Sequence, residues 1–335
     1  MRELTSETIT TAVIEQMATT PDARTKQIME AAVRHLHAFA REINLTPGEW
    51  IQGITFMTKV GQMCTPERQE FILLSDTLGL STLVNTLHDK TAIEEATNTS
   101  LLGPFFREQT PVFESGAQIS RHPTSEDEVV LYGQITDRSG RGIAGAKVTV
   151  WQTRSDGRYD IQVDGGDIDC RGIFTADANG RYLVRTVRPI GYSIPLDGPV
   201  GTLIKAQKRH GMRPAHIHFL ISAPGFRELV TATYMSGDVY LESDTVFGAS
   251  GDLVVDVKPQ DAACPIQGLP SMRFDFSMAR EGAIDAMQGR VGADPSQITK
   301  RAEGETVTAS YSGDSAGTPA TTKKGGLFGK LLGDK

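Results

Sequence analysis

The feature that most constrains this chain is a change of texture near Val129. Before it, apolar residues recur at intervals of three and four; after it, short β-branched and aromatic runs are separated by glycine-centred turns. The first pattern lays one apolar stripe along a helix, and the second is the punctuation of an antiparallel sandwich or barrel. Helices first and strands afterwards argue for two structural regions and against a wound βαβ sheet. The expected fold is therefore mainly β, an antiparallel β-sandwich preceded by an all-α N-terminal region. The boundaries expected are 1–105 for the helices, 106–280 for the sandwich and 281–335 for a flexible tail.

Within the helical region, Ile28, Ala32, Leu36 and Phe39 fall on one stripe. Thr46, Pro47 and Glu49 then offer an N-cap, a first-turn proline and a capping-box acid, so a new helix should begin there and bury Trp50, Ile54 and Met57. Thr65 and Pro66 repeat that start signal ahead of Phe71, Leu74 and Leu78. Strands are expected at 129–136, 147–153, 182–186, 216–222 and 229–234, with Asn179-Gly180 as a hairpin turn because both residues tolerate positive φ. The tail is rich in Gly, Ser, Thr, Ala and Lys and ends in a short apolar patch at 327–332 whose flanking glycines disfavour a stable helix. Removing 305–335 should leave activity intact.

The net charge of -7, with both signs interleaved, gives no footprint for a phosphate backbone or an anionic membrane surface, which excludes nucleic acid as a partner. No apolar stretch approaches the roughly 20 residues needed to span a bilayer. Cys64, Cys170 and Cys264 are widely separated and form no CxxC pair, and the first 24 residues lack the positive start and apolar run of a secretory signal. A reduced, cytoplasmic setting is expected.

The densest chemical signal is His216-Ile217-His218 inside an apolar run. In a strand, alternate side chains share a face, so both imidazoles project one way while Ile217, Phe219 and Ile221 project the other. That is a bidentate metal grip for zinc or iron, and equally a pair of hydrogen-bonded structural histidines. Upstream, Tyr159 in Asp156-Gly157-Arg158-Tyr159-Asp160 and Tyr192 in Gly191-Tyr192-Ser193-Ile194-Pro195 lie at strand-to-loop junctions, where a scaffold presents functional groups. A half-buried ring with its hydroxyl on backbone is the plainer reading of either.

Taken in order, Leu102-Gly103-Pro104-Phe105-Phe106, the Tyr159 and Tyr192 segments, and Arg209-His210-Gly211-Met212-Arg213-Pro214-Ala215-His216-Ile217-His218 resemble the intradiol ring-cleavage dioxygenases. The resemblance runs from about Thr25 to Phe276. It implies an oxidoreductase that opens an ortho-dihydroxylated aromatic ring with O2 between the hydroxyl-bearing carbons, at one non-haem iron(III) per subunit. Tyr159, Tyr192, His216 and His218 would be the metal ligands. The diol would enter as a dianion, with Tyr192 leaving and taking a substrate proton while Tyr159 stays; no reductant or flavin is implied. The chemistry agrees independently, because a trivalent hard cation favours anionic oxygen and can depress a phenol from its usual pKa of about 10.

Arg213, three residues before His216, would stabilise negative charge developing on the ring; a strand-edge salt bridge is its plainer role. By the family pattern the substrate lies among Leu73, Asp76, Leu101, Leu102, Gly103, Phe105, Ile194, Pro195, Arg213 and Val246. Asp76 would meet a third substrate hydroxyl, or else be an N-cap or surface acid near Ser75. Within the family, Tyr159-Asp160-Ile161-Gln162, Pro199-Val200-Gly201 and the run 240–248 are most similar to enzymes acting on hydroxyquinol (benzene-1,2,4-triol), with catechol-cleaving enzymes as near neighbours. The products would be 3-hydroxy-cis,cis-muconate, tautomerising to maleylacetate, or cis,cis-muconate from catechol, in the breakdown of aromatic compounds. A homodimer paired through the N-terminal helices is implied, with lipid between the subunits in some relatives. One departure stands out, since Ala232 follows Leu229-Val230-Thr231 where the family often has Gln or His. The rival from another class is a non-catalytic sandwich module, suggested by turn-rich runs at 133–137 and 145–150.

Overall fold

The structure, a computed structural model, describes residues 3–65, 68–91, 96–124, 127–163 and 165–281. The expected tail therefore lies outside the described residues, apart from Glu281, as does Pro66. The helices are α1 (Ile9–Gln16), α2 (Ala23–Glu42), α3 (Pro47–Gln62), α4 (Glu70–Thr77) and α5 (Leu80–Thr91). Asp22 caps α2 by accepting from the Thr25 amide at 2.6 Å. The capping box of α3 is complete, with the Glu49 amide donating to Thr46 Oγ1 at 3.3 Å and the Thr46 amide to Glu49 Oε2 at 3.0 Å. The start signal at Thr65 misleads by four residues, because the Thr65 amide is taken by Arg68 O and α4 begins only at Glu70.

The described residues up to Lys59 form one compact unit, and those from Val60 onward another. In the first, the expected burial of the apolar stripes is not seen: Ile28, Leu36, Phe39, Trp50, Ile54 and Met57 are all exposed in the single chain, and no residue of α1 or α2 is buried. An apolar stripe fixes which face wants cover, not that its own chain supplies it. Of the third stripe, Leu74 is buried, while Phe71 and Leu78 are exposed.

The second unit holds the strands β1 (Glu128–Asp137), β2 (Lys147–Gln152), β3 (Arg171–Thr175), β4 (Arg181–Val187) and β5 (Tyr192–Ser193). Helix α6 (Pro199–Ala206) follows, then β6 (Met212–Arg213), β7 (His216–Ser222), β8 (Leu229–Met235), β9 (Val254–Val255), β10 (Ser271–Arg273) and β11 (Phe276–Met278). All five runs expected as strands are strands. The three-residue β10 and β11 are too short to show alternation in sequence.

The sheets are mixed, which corrects the expectation of purely antiparallel pairing. One is ordered β3-β2-β7-β8-β9, with β8 and β9 parallel; the other centres on β1, antiparallel to β4 and parallel to both β10 and β11. The parallel partners are late returns of the chain, and their direction is set by long connections that carry no local signal. Asn179-Gly180 is a turn with Gly180 at φ +76°, but it joins β3 to β4, which belong to different sheets, so it is no hairpin. Val129, Leu131 and Ile135 of β1 pack in one core with Val148 and Val150 of β2 and Ile217, Phe219 and Ile221 of β7. No helix among the described residues is long and apolar enough to cross a membrane.

Candidate metal centre

Strand β7 is hydrogen-bonded on both sides, by β2 and β8. Its odd positions enter the core, so the even positions His216 and His218 share the opposite face, and both are about 2% exposed. The His216 ring is turned by its Nδ1–H, which donates to Pro214 O at 2.7 Å and leaves the Nε2 lone pair facing inward. Register sets Trp151 of β2 opposite His218, and the indole stacks flat on that imidazole at 4.9 Å between centroids and 4° between planes. Gly103, at φ +73°, passes the other side; a Cβ there would lie 3.3 Å from His218 Cε1.

Tyr159 precedes a single 3-10 turn, Asp160–Gln162, and its amide donates to Gln162 Oε1 at 2.9 Å. Behind it Arg171 grips Asp160 with both Nε and Nη2, and the same Nη2 reaches Phe105 O at 3.1 Å. Asp160 and Arg171 are both essentially inaccessible to solvent. The clamp thus fixes Tyr159 and Phe105 together, and their rings stack at 4.5 Å. Tyr192 comes from β5, paired residue for residue with β6, so that it lies opposite Arg213. Its ring meets Tyr159 edge-on at 5.6 Å and His216 at 5.5 Å.

Three of the ring ends converge, and the Tyr192 hydroxyl bonds that of Tyr159. His216 Nε2 is 3.2 Å from His218 Nε2, 3.5 Å from Tyr159 Oη and 3.1 Å from Arg213 Nη1. Burial, and then the Arg213 cation, push His216 well below the usual histidine range; burial, His216 and Arg213 do the same to His218. Two neutral imidazoles thus bring their Nε2 atoms within 3.2 Å of one another in a buried site, the His216 lone pair facing His218. Burial, reinforced by Tyr192, pushes the Tyr159 phenol well above its ordinary value, so it does not ionise here unaided. A multivalent cation between these atoms would take imidazole lone pairs and draw off the phenol proton. The described residues contain no cluster of three or more His, Cys, Asp or Glu, so this donor set of two phenols and two imidazoles suits a hard ferric ion better than zinc.

Arg213 is buried and pairs with Asp244, Nε to Oδ1 at 3.2 Å. Burial opposes its charge, but Asp244, Tyr192 and Tyr234 together more than offset that and the guanidinium is held charged. Asp76 is neither an N-cap nor a surface acid, being 4% exposed near the end of α4. Burial raises its carboxyl, while Ser81 and then Arg213 draw it part of the way back. Of the other expected wall residues, Leu73, Phe105 and Pro195 line one cavity of about 260 Å³, and Leu101 lines a second of about 750 Å³. Ile194 and Val246 are buried, whereas Leu102 is exposed. Ala232 lies opposite His218 in register, fully buried with Tyr234 and Leu253, and offers the site only a methyl group.

Sequence reasoning missed Trp151, Tyr234, Asp244 and the Asp160–Arg171 clamp. Asp160 and Asp244 lie inside segments that carried the resemblance; Trp151 is placed by cross-strand register, which a single sequence does not reveal.

Comparison with known proteins bears directly on this centre. Residues 22–96 match the family model described as catechol dioxygenase N terminus, and 101–280 the one described as dioxygenase. The 6-chlorohydroxyquinol 1,2-dioxygenase of Cupriavidus pinatubonensis is 47% identical over 278 residues, covering 82% of this chain and 98% of that protein. The solved hydroxyquinol 1,2-dioxygenase of Pseudomonas putida DLL-E4 superposes with a TM-score of 0.76 at 40% identity, over 82% of this chain and 99% of that one. The catechol 1,2 dioxygenase of Acinetobacter radioresistens gives 0.73 at 26% identity, over 88% and 99%. With both halves of the family matched and relatives aligned over nearly their whole length, the chain belongs to the intradiol ring-cleavage dioxygenases.

Proposed function

We propose that this enzyme opens hydroxyquinol between its two adjacent hydroxyl-bearing carbons, giving 3-hydroxy-cis,cis-muconate and, by tautomerisation, maleylacetate. Support comes from relatives named for hydroxyquinol at 40–47% identity. The observation that carries the choice of triol over catechol is Asp76, a buried carboxylate within electrostatic reach of Arg213. A third hydroxyl gives it a hydrogen-bond donor beyond Ser81, whereas catechol offers none, a difference a site built this way can use to discriminate.

The family generally depends on non-haem iron(III). In our reading Tyr159, Tyr192, His216 and His218 hold one such ion per subunit, and it supplies the Lewis acidity and redox partner that bring O2 and an aromatic diolate into reaction. The protein's own groups do the rest. Tyr192 Oη receives a proton from the entering diol. Arg213, permanently charged and buried, stabilises negative charge spread over the ring. Leu73, Phe105, Ile194, Pro195 and Val246 supply the apolar walls that hold the flat ring and keep water out. Asp76 orients the ring through the third hydroxyl.

The same reading takes the two sheets as a β-sandwich, on the strength of the core shared by β1, β2 and β7. It keeps 1–105 as a helical part, 106–280 as the catalytic part and 281–335 as a tail. We infer a cytoplasmic homodimer: the three cysteines are free, and Leu36, Phe39, Trp50 and Ile54 leave an apolar surface that suits a second copy, with or without lipid between.

Metal analysis with product identification on the triol and on catechol tests the proposal. Iron near one per chain, a reddish tyrosinate-to-iron colour and preference for the triol are expected. A catechol preference of roughly tenfold or more overturns the substrate choice, and a colourless, iron-free protein overturns the metal centre.

A further inference from the structure

The turn at 244–248 reaches further into the site than its place in the sequence suggests. Asp244, 4% exposed, receives four donors. Arg213 gives Nε to Oδ1 at 3.2 Å and Nη2 to Oδ2 at 3.3 Å, while the amides of Val246 and Gly248 donate at 3.3 and 3.0 Å. The first two bonds hold a guanidinium whose Nη1 lies 3.1 Å from His216 Nε2. The other two hold the backbone of Val246, one of the walls of the substrate site. Gly248 closes the junction tightly, since a Cβ there would lie 2.9 Å from Tyr234 Oη and 3.0 Å from Arg213 Nη2. From outside, Arg209 donates to Thr245 O at 2.7 Å and Thr77 O at 2.9 Å, tying this turn to the end of α4, just past Asp76.

Two buried carboxylates, Asp76 and Asp244, thus compete for one guanidinium. The carboxylate that engages Arg213 is not available to a substrate. Asp244 is the preorganised partner, because the two backbone amides fix its oxygens before the arginine arrives, and its contact is two-pronged. Among the described residues no backbone amide supports Asp76 in this way; Ser81 bonds its carboxyl, and Arg213 acts on it only at longer range.

We propose that Asp244 is a positioning residue for ring opening: by engaging Arg213 together with the backbone of Val246 and Gly248, it leaves Asp76 free for the third substrate hydroxyl and sets the wall against which the ring lies. The inference rests on the hydroxyquinol reading above. Removing the Asp244 charge frees Arg213 to turn toward Asp76, which costs the triol its partner and costs catechol only the displaced arginine.

The test is Asp244→Asn, nearly isosteric but uncharged, compared with wild type on both substrates. We expect kcat/KM to fall roughly a hundredfold for the triol and roughly tenfold for catechol. Without O2, so that no turnover occurs, calorimetry should show triol binding weakened more than catechol binding. Iron content and the thermal midpoint separate this from damage to the fold. Equal losses on both substrates, losses that track iron content, or no change overturn the proposal. If Asp244→Asn does not fold, Gly248→Ala crowds the same junction and should give the same unequal loss; equal loss or none there overturns it. Wild type that binds both rings but opens neither sinks the functional reading, while unequal weakening in the variant still supports Asp244. Wild type that binds neither overturns both.

Discussion

Helix α2 and strand β7 distribute their side chains in opposite ways. None of the 20 residues of α2 is buried, and Ile28, Met29, Leu36 and Phe39 stand exposed. Strand β7 sinks two imidazoles as deeply as the isoleucines beside them. An exposed apolar face calls for a partner, and a buried polar group for a hydrogen bond or a cation. What each element violates therefore points to what we propose completes it: another chain for α2, an ion for β7.

The comparison breaks most visibly at the metal donors. Tyr159→Phe should lose the charge-transfer colour and lower turnover roughly a thousandfold or more, about 4 kcal/mol of transition-state stabilisation; a variant that keeps its colour and rate removes Tyr159 from the ligand set. Next comes the buried clamp behind it. Arg171→Met removes the buried partner of Asp160 and leaves only the partly exposed Arg107, at 3.3 Å, as its cation, so denaturant unfolding should show a loss of about 3–5 kcal/mol. A loss under about 1 kcal/mol, the scale of a surface pair, would mean that the clamp adds nothing beyond packing.

On the helical side, Leu36→Glu with Phe39→Glu should convert a dimer to monomers in sedimentation while each site keeps its turnover. Unchanged assembly would assign the exposed face to something other than a second copy. The smallest effect belongs to Asp137, whose carboxyl is held down to about 2, chiefly by Ser139 and by the amides of Arg141 and Ser139. A depressed folded pKa contributes stability that is present above the unfolded value and disappears as pH falls through the folded one. Asp137→Asn should therefore lower stability at neutral pH, leave it almost unchanged below about pH 2, and so flatten the acid limb of the stability curve between about pH 4 and pH 2. An unaltered acid limb would show that the carboxyl gains nothing from these contacts.

Much of this was legible in the chain. The strand at β7 could be read because two histidines alternate with Ile217 and Phe219 within a continuous apolar run, and the α3 start because Thr46 and Glu49 form a reciprocal pair. What resisted reading depends on contacts made across long stretches of chain. Whether a stripe such as Leu36 and Phe39 is covered is settled by geometry beyond the helix itself. The parallel pairing of β10 and β11 with β1 spans more than a hundred residues, and Trp151 meets His218 only through strand register. Asp76 illustrates the same limit from the other side: as a residue type beside Ser75 it reads as a surface acid, and only the burial of α4 turns it inward.

The position of β7 between β2 and β8 has a practical outcome. Its imidazoles hang from a ribbon stitched along both margins and anchored underneath by Ile217, Phe219 and Ile221, so their spacing is inherited from the fabric and owes nothing to the occupant. Chelating out the proposed ion should leave the housing standing, and returning it should restore the enzyme without any passage through the unfolded chain.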